Sequence, residues 1–220
     1  KLLNNKKIVS KLDIEILSAS KWLADQARSS ALFKNKIIHD VPLGVNEKIF
    51  KPVDNEAIKK LRERYKIDED CRVISFGASN ISEKRKGYSY LVESLENLQK
   101  RHKINRDKII LLTAGKLERK ININFKHVHM GFLKNEKDLA SFYQLSDLYI
   151  SPTIEDSGPL MVNQAIMCGT PAVAFDIGVA QDLIINNKTG YKAKIKNSLD
   201  LANGIISILQ QNNANYQKMR

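Results

Sequence analysis

The chain has 220 residues, 43% of them hydrophobic and 27% charged, and a formal net charge of +12. That length suffices for one large domain, or one domain plus a piece of another, and the composition is that of an ordinary soluble globular protein. It excludes a bilayer-crossing chain, because no apolar run approaches the roughly 18 residues required, and a disulfide framework, because Cys71 and Cys168 are the only cysteines and both sit in apolar surroundings.

In chain order, residues 14–20 (IEILSAS) read as a short strand. Residues 21–33 (KWLADQARSSALF) read as a helix with Trp22, Leu23, Ala27 and Ala31 on or near one face. Residues 36–45 form a strand and then a turn broken by Pro42 and Gly44. A charged amphipathic helix follows over 55–66, a strand over 71–79, and a helix over 87–102 with Tyr90, Leu91, Leu95 and Leu98 as its buried stripe. Residues 107–115 (DKIILLTAG) are continuously apolar after their charged start, as a buried parallel strand requires. Then come a strand near 126–132, a helix over 136–146, a strand over 147–153, a helix over 160–168, a strand over 171–175 and a C-terminal helix over 198–211. This alternation predicts an α/β fold with a doubly wound, Rossmann-like parallel sheet and right-handed crossovers.

The basic excess is uneven. Lys and Arg number 24 against 15 Asp and Glu over residues 1–110, a net of +9; over 111–220 they number 12 against 9, a net of +3. Such runs usually form solvated faces, and they also suit phosphorylated ligands or an anionic membrane surface. Neither a zinc-finger spacing nor an aromatic-rich RNA-binding strand accompanies them, so nucleic acid is not the expected partner. The start, KLLNNKKIVSKLD, is too polar for a secretory signal. A chain that opens on Lys1 is expected to be a fragment or a processed product, located in the cytoplasm, with a peripheral contact on the inner face of the membrane.

Ligands of such sheets bind outside the carboxyl ends of the strands. Three loops qualify: 78–87 (ASNISEKRKG), the turn at Gly115 and Lys116, and the segment after Thr153 (IEDSGPL). The first offers Lys84, Arg85, Lys86 and Gly87. The third offers Ser157, Gly158 and the start of a helix, a set suited to phosphate. There is no P-loop and no G-x-G-x-x-G, which argues against a nicotinamide dehydrogenase. His127 and His129 alternate on one strand face, but no carboxylate or cysteine stands at ligand spacing, so no metal is expected. Trp22 reads as packing. Asp182 reads as a brace for its own helix.

Nearly the whole chain resembles the C-terminal, donor-binding half of a GT-B glycosyltransferase of family 4, the group 1 glycosyltransferases. The likeness runs in order through SASKWLADQARSS, IIHDVPLGVNEKIFKP, ISFGASNISEKRKGYSYLVESL, VHMGFLKNEKDLASFYQLSDLYISPTIED and QAIMCGTPAVAFDIGVAQDLIINNKTGY. The resemblance implies that residues 1–40 are the tail and linker of an N-terminal acceptor domain and that 41–220 are the nucleotide-sugar domain. Members carry a Glu, seven residues and a second Glu; here Asp156 and Gln164 hold those places, with Glu155 beside the first. The first acid is implied to lie by the transferred sugar and the second position to accept from the ribose hydroxyls. Lys86 matches a phosphate-binding lysine, with Arg85 or Lys84 standing in for the arginine that members carry after Gly77, where this chain has Ala78. Gly77, Gly115, Ser157, Gly158 and Leu160 are implied to lie along the donor.

The implied chemistry is retaining transfer of a sugar from a UDP- or GDP-sugar to a hydroxyl of a glycan or lipid-linked sugar acceptor, in polysaccharide or glycoconjugate biosynthesis, with no cofactor. The acceptor would be held by the missing N-terminal domain, so this chain alone would be inactive. A nucleotide-sugar epimerase of the same fold and a non-catalytic nucleotide-sugar-binding member are the alternatives, ahead of a basic nucleic-acid-binding domain.

Overall fold

The continuous apolar runs of the sequence form the centre of a parallel sheet, and the amphipathic segments between them cover its two faces. The computed structural model describes residues 8–102, 104–118, 123–156, 158 and 160–220. In chain order the elements are β1 (Ile16–Ser18), α1 (Lys21–Ser29), β2 (Ile38–Asp40), α2 (Asn55–Arg64), β3 (Arg72–Asn80), α3 (Tyr88–His102), β4 (Ile109–Lys116), β5 (Lys126–His129), α4 (Glu136–Gln144), β6 (Leu148–Ser151), α5 (Leu160–Met167), β7 (Ala172–Phe175), α6 (Val179–Leu183), β8 (Gly190–Ala193), α7 (Ser198–Leu209) and α8 (Asn213–Met219). Strands β3 to β8 make one sheet in the order β5-β4-β3-β6-β7-β8, with every pairing parallel. The expected doubly wound α/β architecture is therefore the observed one.

Side chains alternate between the two faces of each strand, so a buried parallel sheet needs a core on both sides. On one face Ile74, Leu111 and Ile150 meet Leu91, Leu95 and Leu98 of α3 and Leu201 and Ile205 of α7. On the other, Val73, Ile110, Leu112 and Tyr149 meet Phe142 and Tyr143 of α4 and Val162 and Ala165 of α5. Helix starts are set by side-chain caps: Asp54 accepts from Ala57 N–H before α2, and Asn135 from Asp138 N–H before α4.

Residues 8–40 stand apart from this sheet. Strands β1 and β2 pair only with each other, in parallel, Ile16 opposite Ile38. Helix α1 is shorter than its pattern predicts and ends at Ser29, where the Ser30 hydroxyl takes up the Ala27 carbonyl. Two elements were not expected from the sequence: β8 and α8. Among the described residues no helix is long and apolar enough to cross a membrane.

At the amino edge of the sheet, Asp147 is held on all sides. Its carboxylate accepts from Val73 N–H at 2.8 Å and pairs with Arg62 at 3.0 Å and Arg72 at 3.3 Å. The Arg62 guanidinium also donates to the carbonyls of Asp68 and Cys71. Both partners are almost buried, so removing Arg62 leaves the Asp147 carboxylate with only the more exposed Arg72 and the Val73 N–H to offset its burial. Arg62→Met is expected to destabilise the fold by about 3 kcal/mol or more, read from the midpoint of urea unfolding. Lys60→Ala, which removes the solvent-exposed pair with Glu56 two residues away, should leave that midpoint unchanged.

Candidate functional site

The strand order sets where a ligand can enter. From β3 the chain leaves to α3 and β4 on one side, and from β6 it leaves to α5 and β7 on the other. Adjacent parallel strands whose connections depart in opposite directions open a crevice at their carboxyl ends, the usual ligand position in open α/β sheets. The segments after β3 and after β6 therefore meet there.

They are locked to each other. Lys84–Lys86 form one 3-10 turn, closed by Gly87 at φ 73°. A Cβ on Gly87 would lie 1.8 Å from the Pro152 carbonyl oxygen, so only glycine permits this approach. Two residues to either side, Ile154 N–H donates to the Arg85 carbonyl at 2.9 Å. Side chains complete the contact: Lys86 Nζ lies 2.6 Å from Asp156 Oδ2, and an Arg85 guanidinium nitrogen lies 3.6 Å from the same oxygen. The other Arg85 nitrogen pairs with Glu83 at 2.8 Å. Gly158 N–H donates to Asp156 Oδ1 at 3.3 Å. Asp156 thus gathers an ammonium, a guanidinium and a backbone N–H, whereas Glu155 and Lys84 are exposed and form no ion pair among the described residues. Ser157 and Pro159 lie outside the described residues.

Beside this clamp a cleft of about 240 Å³ opens between the ends of β3 and β4 and the first turns of α5, lined by Ala78, Gly115, Leu160, Met161 and Gln164 among others. Gly115, at φ 134°, lets the two strands close up: a Cβ there would meet the Ala78 carbonyl oxygen at 1.8 Å. Gly77 is packed beneath, its missing Cβ replaced by the Met161 methyl group.

Gln164 and Asn163 of α5 are both buried. The reason is Tyr143 of α4, whose hydroxyl donates to Gln164 Oε1 at 3.1 Å. Burial, reinforced by Tyr149 and Cys168, raises the phenol pKa well above its ordinary value, so Tyr143 stays a donor. The Gln164 oxygen is therefore already accepting, and the amide nitrogen is the group without a protein partner among the described residues. Asn163 turns to the segment between β2 and α2, donating to the Leu43 carbonyl at 3.2 Å.

On the other side of Asp156 lies a second hollow of about 500 Å³, walled by Trp22, Leu23, Arg85, Glu155, Asp156 and Ile177. Trp22, expected as packing, is half-buried on this wall. The amino end of α1 is docked onto the segment after β6 and onto α6. Lys21 N–H donates to Asp182 Oδ2 at 2.8 Å, and Gly158 faces Ala19 so closely that a Cβ would come within 3.3 Å of the alanine methyl. Asp182 thus braces α1 and not its own helix. Helical periodicity marks Trp22 as apolar-facing without saying what it faces.

The histidine pair has a structural partner. Thr113 Oγ1 lies 2.8 Å from His127 Nε2 and 2.9 Å from His129 Nδ1. Among the described residues no group of three or more His, Cys, Asp or Glu could hold a metal ion. A further hollow of about 280 Å³, between α3 and residues 123–125, sits toward the amino ends of the strands, away from the crevice.

Comparison with known proteins gives this geometry a family. The model of the glycosyl transferases group 1 matches residues 55–220. Among curated proteins the chain is 27% identical over 192 residues to the N,N'-diacetylbacillosaminyl-diphospho-undecaprenol alpha-1,3-N-acetylgalactosaminyltransferase of Campylobacter jejuni, a match covering 85% of this chain and 49% of that protein. It is 23% identical over 132 residues to an uncharacterized glycosyltransferase of Methanocaldococcus jannaschii, covering 57% of this chain and 33% of that protein. The chain thus spans half or less of the length of these relatives. Among solved structures, the sucrose-phosphate synthase of Thermosynechococcus elongatus superposes with a TM-score of 0.78 at 20% identity, covering 99% of this chain and 54% of that one. Anabaena Alr3699/HepE in complex with UDP-glucose superposes with a TM-score of 0.76 at 16% identity, covering 99% and 60%. These superpositions show the same fold.

Two expectations follow from the geometry. Gly87→Ala should cost more than about 2 kcal/mol, because the Pro152 backbone cannot retreat from the new methyl group and the residue must also hold a left-handed conformation. Urea unfolding measures it, and a loss within error would show that the two segments are free to separate. His127 has a pKa below its ordinary value, chiefly from burial and then from His129. Its contribution to stability is complete above the unfolded-state pKa, near 6.5. It is lost as pH falls from there through the lower folded value, because the unfolded chain takes up the proton first. His127→Gln should flatten the fall of the unfolding midpoint over that acid window.

Proposed function

The chain belongs to the glycosyl transferases group 1, and on that premise we propose that it is the donor-binding part of a retaining glycosyltransferase, moving a sugar from a nucleotide diphosphate donor to a hydroxyl acceptor. The observation that carries this reading is the set of donors converging on one point of the crevice: Lys86 Nζ, the Arg85 guanidinium and the Gly158 N–H at the entrance to α5. Two cations and a helix start are what a diphosphate needs, and the adjoining cleft along Gly115, Leu160 and Gln164 has the apolar walls and few polar groups of a nucleoside site.

In this arrangement Lys86 and Arg85 take up the charge that develops on the departing diphosphate, a preorganised electrostatic contribution that makes no demand on a cofactor. Gln164 meets the ribose through its amide nitrogen. Asp156 and Glu155 lie by the transferred sugar, at the border of the larger hollow. Anabaena HepE, which has the same fold, is described in complex with UDP-glucose, and this supports a UDP- or GDP-sugar as donor. The name of the Campylobacter relative, an acetylgalactosaminyltransferase acting on a diphospho-undecaprenol sugar, supports a lipid-linked acceptor and a role in glycoconjugate or polysaccharide biosynthesis; a place in the cytoplasm at the membrane's inner face is part of the same proposal.

Residues 1–40 are then the tail and linker of an acceptor domain, and 41–220 the donor domain. The separate β1–β2 pair supports this division, as does the exposure of Leu17 and Ile37 beside it, apolar surface that a further domain would cover. A domain-closure reaction needs both halves, so this chain is expected to bind donor without turning it over. The neutral residues at Ala78 and Gln164 favour one second reading, a non-catalytic nucleotide-sugar-binding member, which donor binding without transfer by the longer protein would select.

A thermal-shift series against UDP-, GDP- and ADP-sugars tests the reading, since a ligand of the native state raises the melting temperature by mass action. One of the three should shift it and nucleic acid should not. Lys86→Ala is expected to weaken nucleotide diphosphate binding by about 1.5–3 kcal/mol while leaving the bare nucleoside unaffected; equal losses for both ligands would move the diphosphate elsewhere. In the longer protein, Asp156→Asn should lower turnover by at least about tenfold, as loss of a group acting at the reacting sugar does.

A further inference from the structure

The same oxygen of Asp156 faces both cations that the donor reading assigns to the diphosphate. Its distances to Lys86 Nζ and the nearer Arg85 nitrogen are 2.6 Å and 3.6 Å, and its other oxygen takes the Gly158 N–H. Ammonium, guanidinium and backbone N–H together are a phosphate's set of partners, here engaged by a carboxylate of the chain itself. The pair is well enclosed, with the Lys86 and Asp156 side chains only 18% and 16% exposed.

The backbone around it cannot open to make room. Gly87 rests on the Pro152 carbonyl, and Ile154 N–H is bonded to the Arg85 carbonyl. Residues 85–87 and 152–154 are therefore fixed relative to each other, and a diphosphate can reach Lys86 only if the Asp156 side chain rotates away. From this we infer that Asp156 is a specificity-determining residue: its carboxylate competes with the donor's diphosphate for Lys86 and Arg85, and donor binding exchanges one anion for the other.

The inference rests on the donor-site reading and deepens it. Exchange selects for dense negative charge, since a ligand must outcompete a carboxylate already at hydrogen-bond distance. It also ties two events together. Once diphosphate takes over the cations, Asp156 is released toward the hollow beside Glu155, where the reading places the sugar. A carboxylate that merely held Lys86 in position for phosphate would have the opposite effect on affinity, because its removal would loosen the lysine.

Calorimetric titration of the full chain with inorganic pyrophosphate, UDP and uridine separates these cases. If the carboxylate competes, Asp156→Asn should bind pyrophosphate and UDP at least about fivefold more tightly than the parent, the scale of a partly exposed ion pair removed as competitor, with uridine unchanged. Should that variant fold poorly, the parent protein answers alone: the Asp156 side-chain carboxyl carbon, followed by NMR, should shift on addition of UDP as the carboxylate leaves Lys86. Equal or weaker diphosphate binding by the variant, or a carboxyl resonance that stays in place at saturating UDP, overturns the exchange while leaving the donor site standing. If neither protein binds pyrophosphate or UDP, and GDP fails as well, the donor-site reading itself falls and the exchange with it.

Discussion

The contact on which the site depends is the approach of Gly87 to the carbonyl of Pro152. It joins the segment after β3 to the segment after β6 where the sheet's connections diverge, and no side chain fits between them. Everything at the crevice is measured from that point. It starts α3 at Tyr88, orders the 3-10 turn of Lys84–Lys86, and puts Lys86 opposite Asp156 across 70 positions of sequence. A parallel sheet brings strand ends together with a tolerance of several ångströms. A glycine seated on a carbonyl removes that tolerance, which a pair of charged side chains on two loops could not do alone.

The two charged networks at the sheet's opposite edges show how similar residues serve different ends. Asp147 at the amino edge accepts a backbone N–H from the neighbouring strand and two guanidinium groups, one of them itself bonded to two carbonyls. The Val73 N–H belongs to a central strand and the Arg62 guanidinium is almost enclosed, so two of the three partners of Asp147 are held by the fold itself. Asp156 at the carboxyl edge is held by two long side chains and one longer N–H bond, on the wall of an open hollow. The second can be rearranged by rotating a side chain; the first cannot be rearranged without dismantling the fold.

The sheet was legible wherever a strand is an apolar run, as in residues 109–115, and wherever a helix has a clear stripe, as in 88–102. Strand β8 escaped because Gly-Tyr-Lys-Ala has no such run; it belongs to the sheet through backbone pairing with β7, and Gly190 lets it lie against Ala172. Helix α8 escaped because its residues are polar apart from Ala214, Tyr216 and Met219, and its one buried residue, Tyr216, reaches back to the Asp147 carbonyl. In the site, the rule that ligands enter at strand carboxyl ends pointed to the loops holding Lys86 and Asp156. Their bond to each other, the bond of Tyr143 to Gln164 and that of Asp182 to Lys21 span long stretches of chain, which periodicity does not encode. A polar residue in an apolar helix signals a partner, and Gln164 was readable to that extent; whether the partner is ligand or protein is a tertiary matter.

That tertiary setting also gives a reason for the two departures from the family pattern to occur together. Ala78 and Gln164 line the same cleft, across from one another between β3 and α5, where the resemblance places an arginine and a glutamate. Both positions are buried, at 5% and 6% exposure. With Ala78 alone exchanged, a glutamate at 164 would sit beside Tyr143 and apolar walls without the cation that shares the cleft, and an uncompensated buried carboxylate is costly. With both positions neutral the penalty vanishes: Tyr143 satisfies the amide oxygen, and the amide nitrogen remains to meet a hydroxyl. On the proposed donor reading, the cleft then contributes shape and hydrogen bonds, while cationic recognition falls to Lys86 and Arg85. Positive charge is absent at these two positions of the cleft and present on Lys86 and Arg85, beside the contact between Gly87 and Pro152.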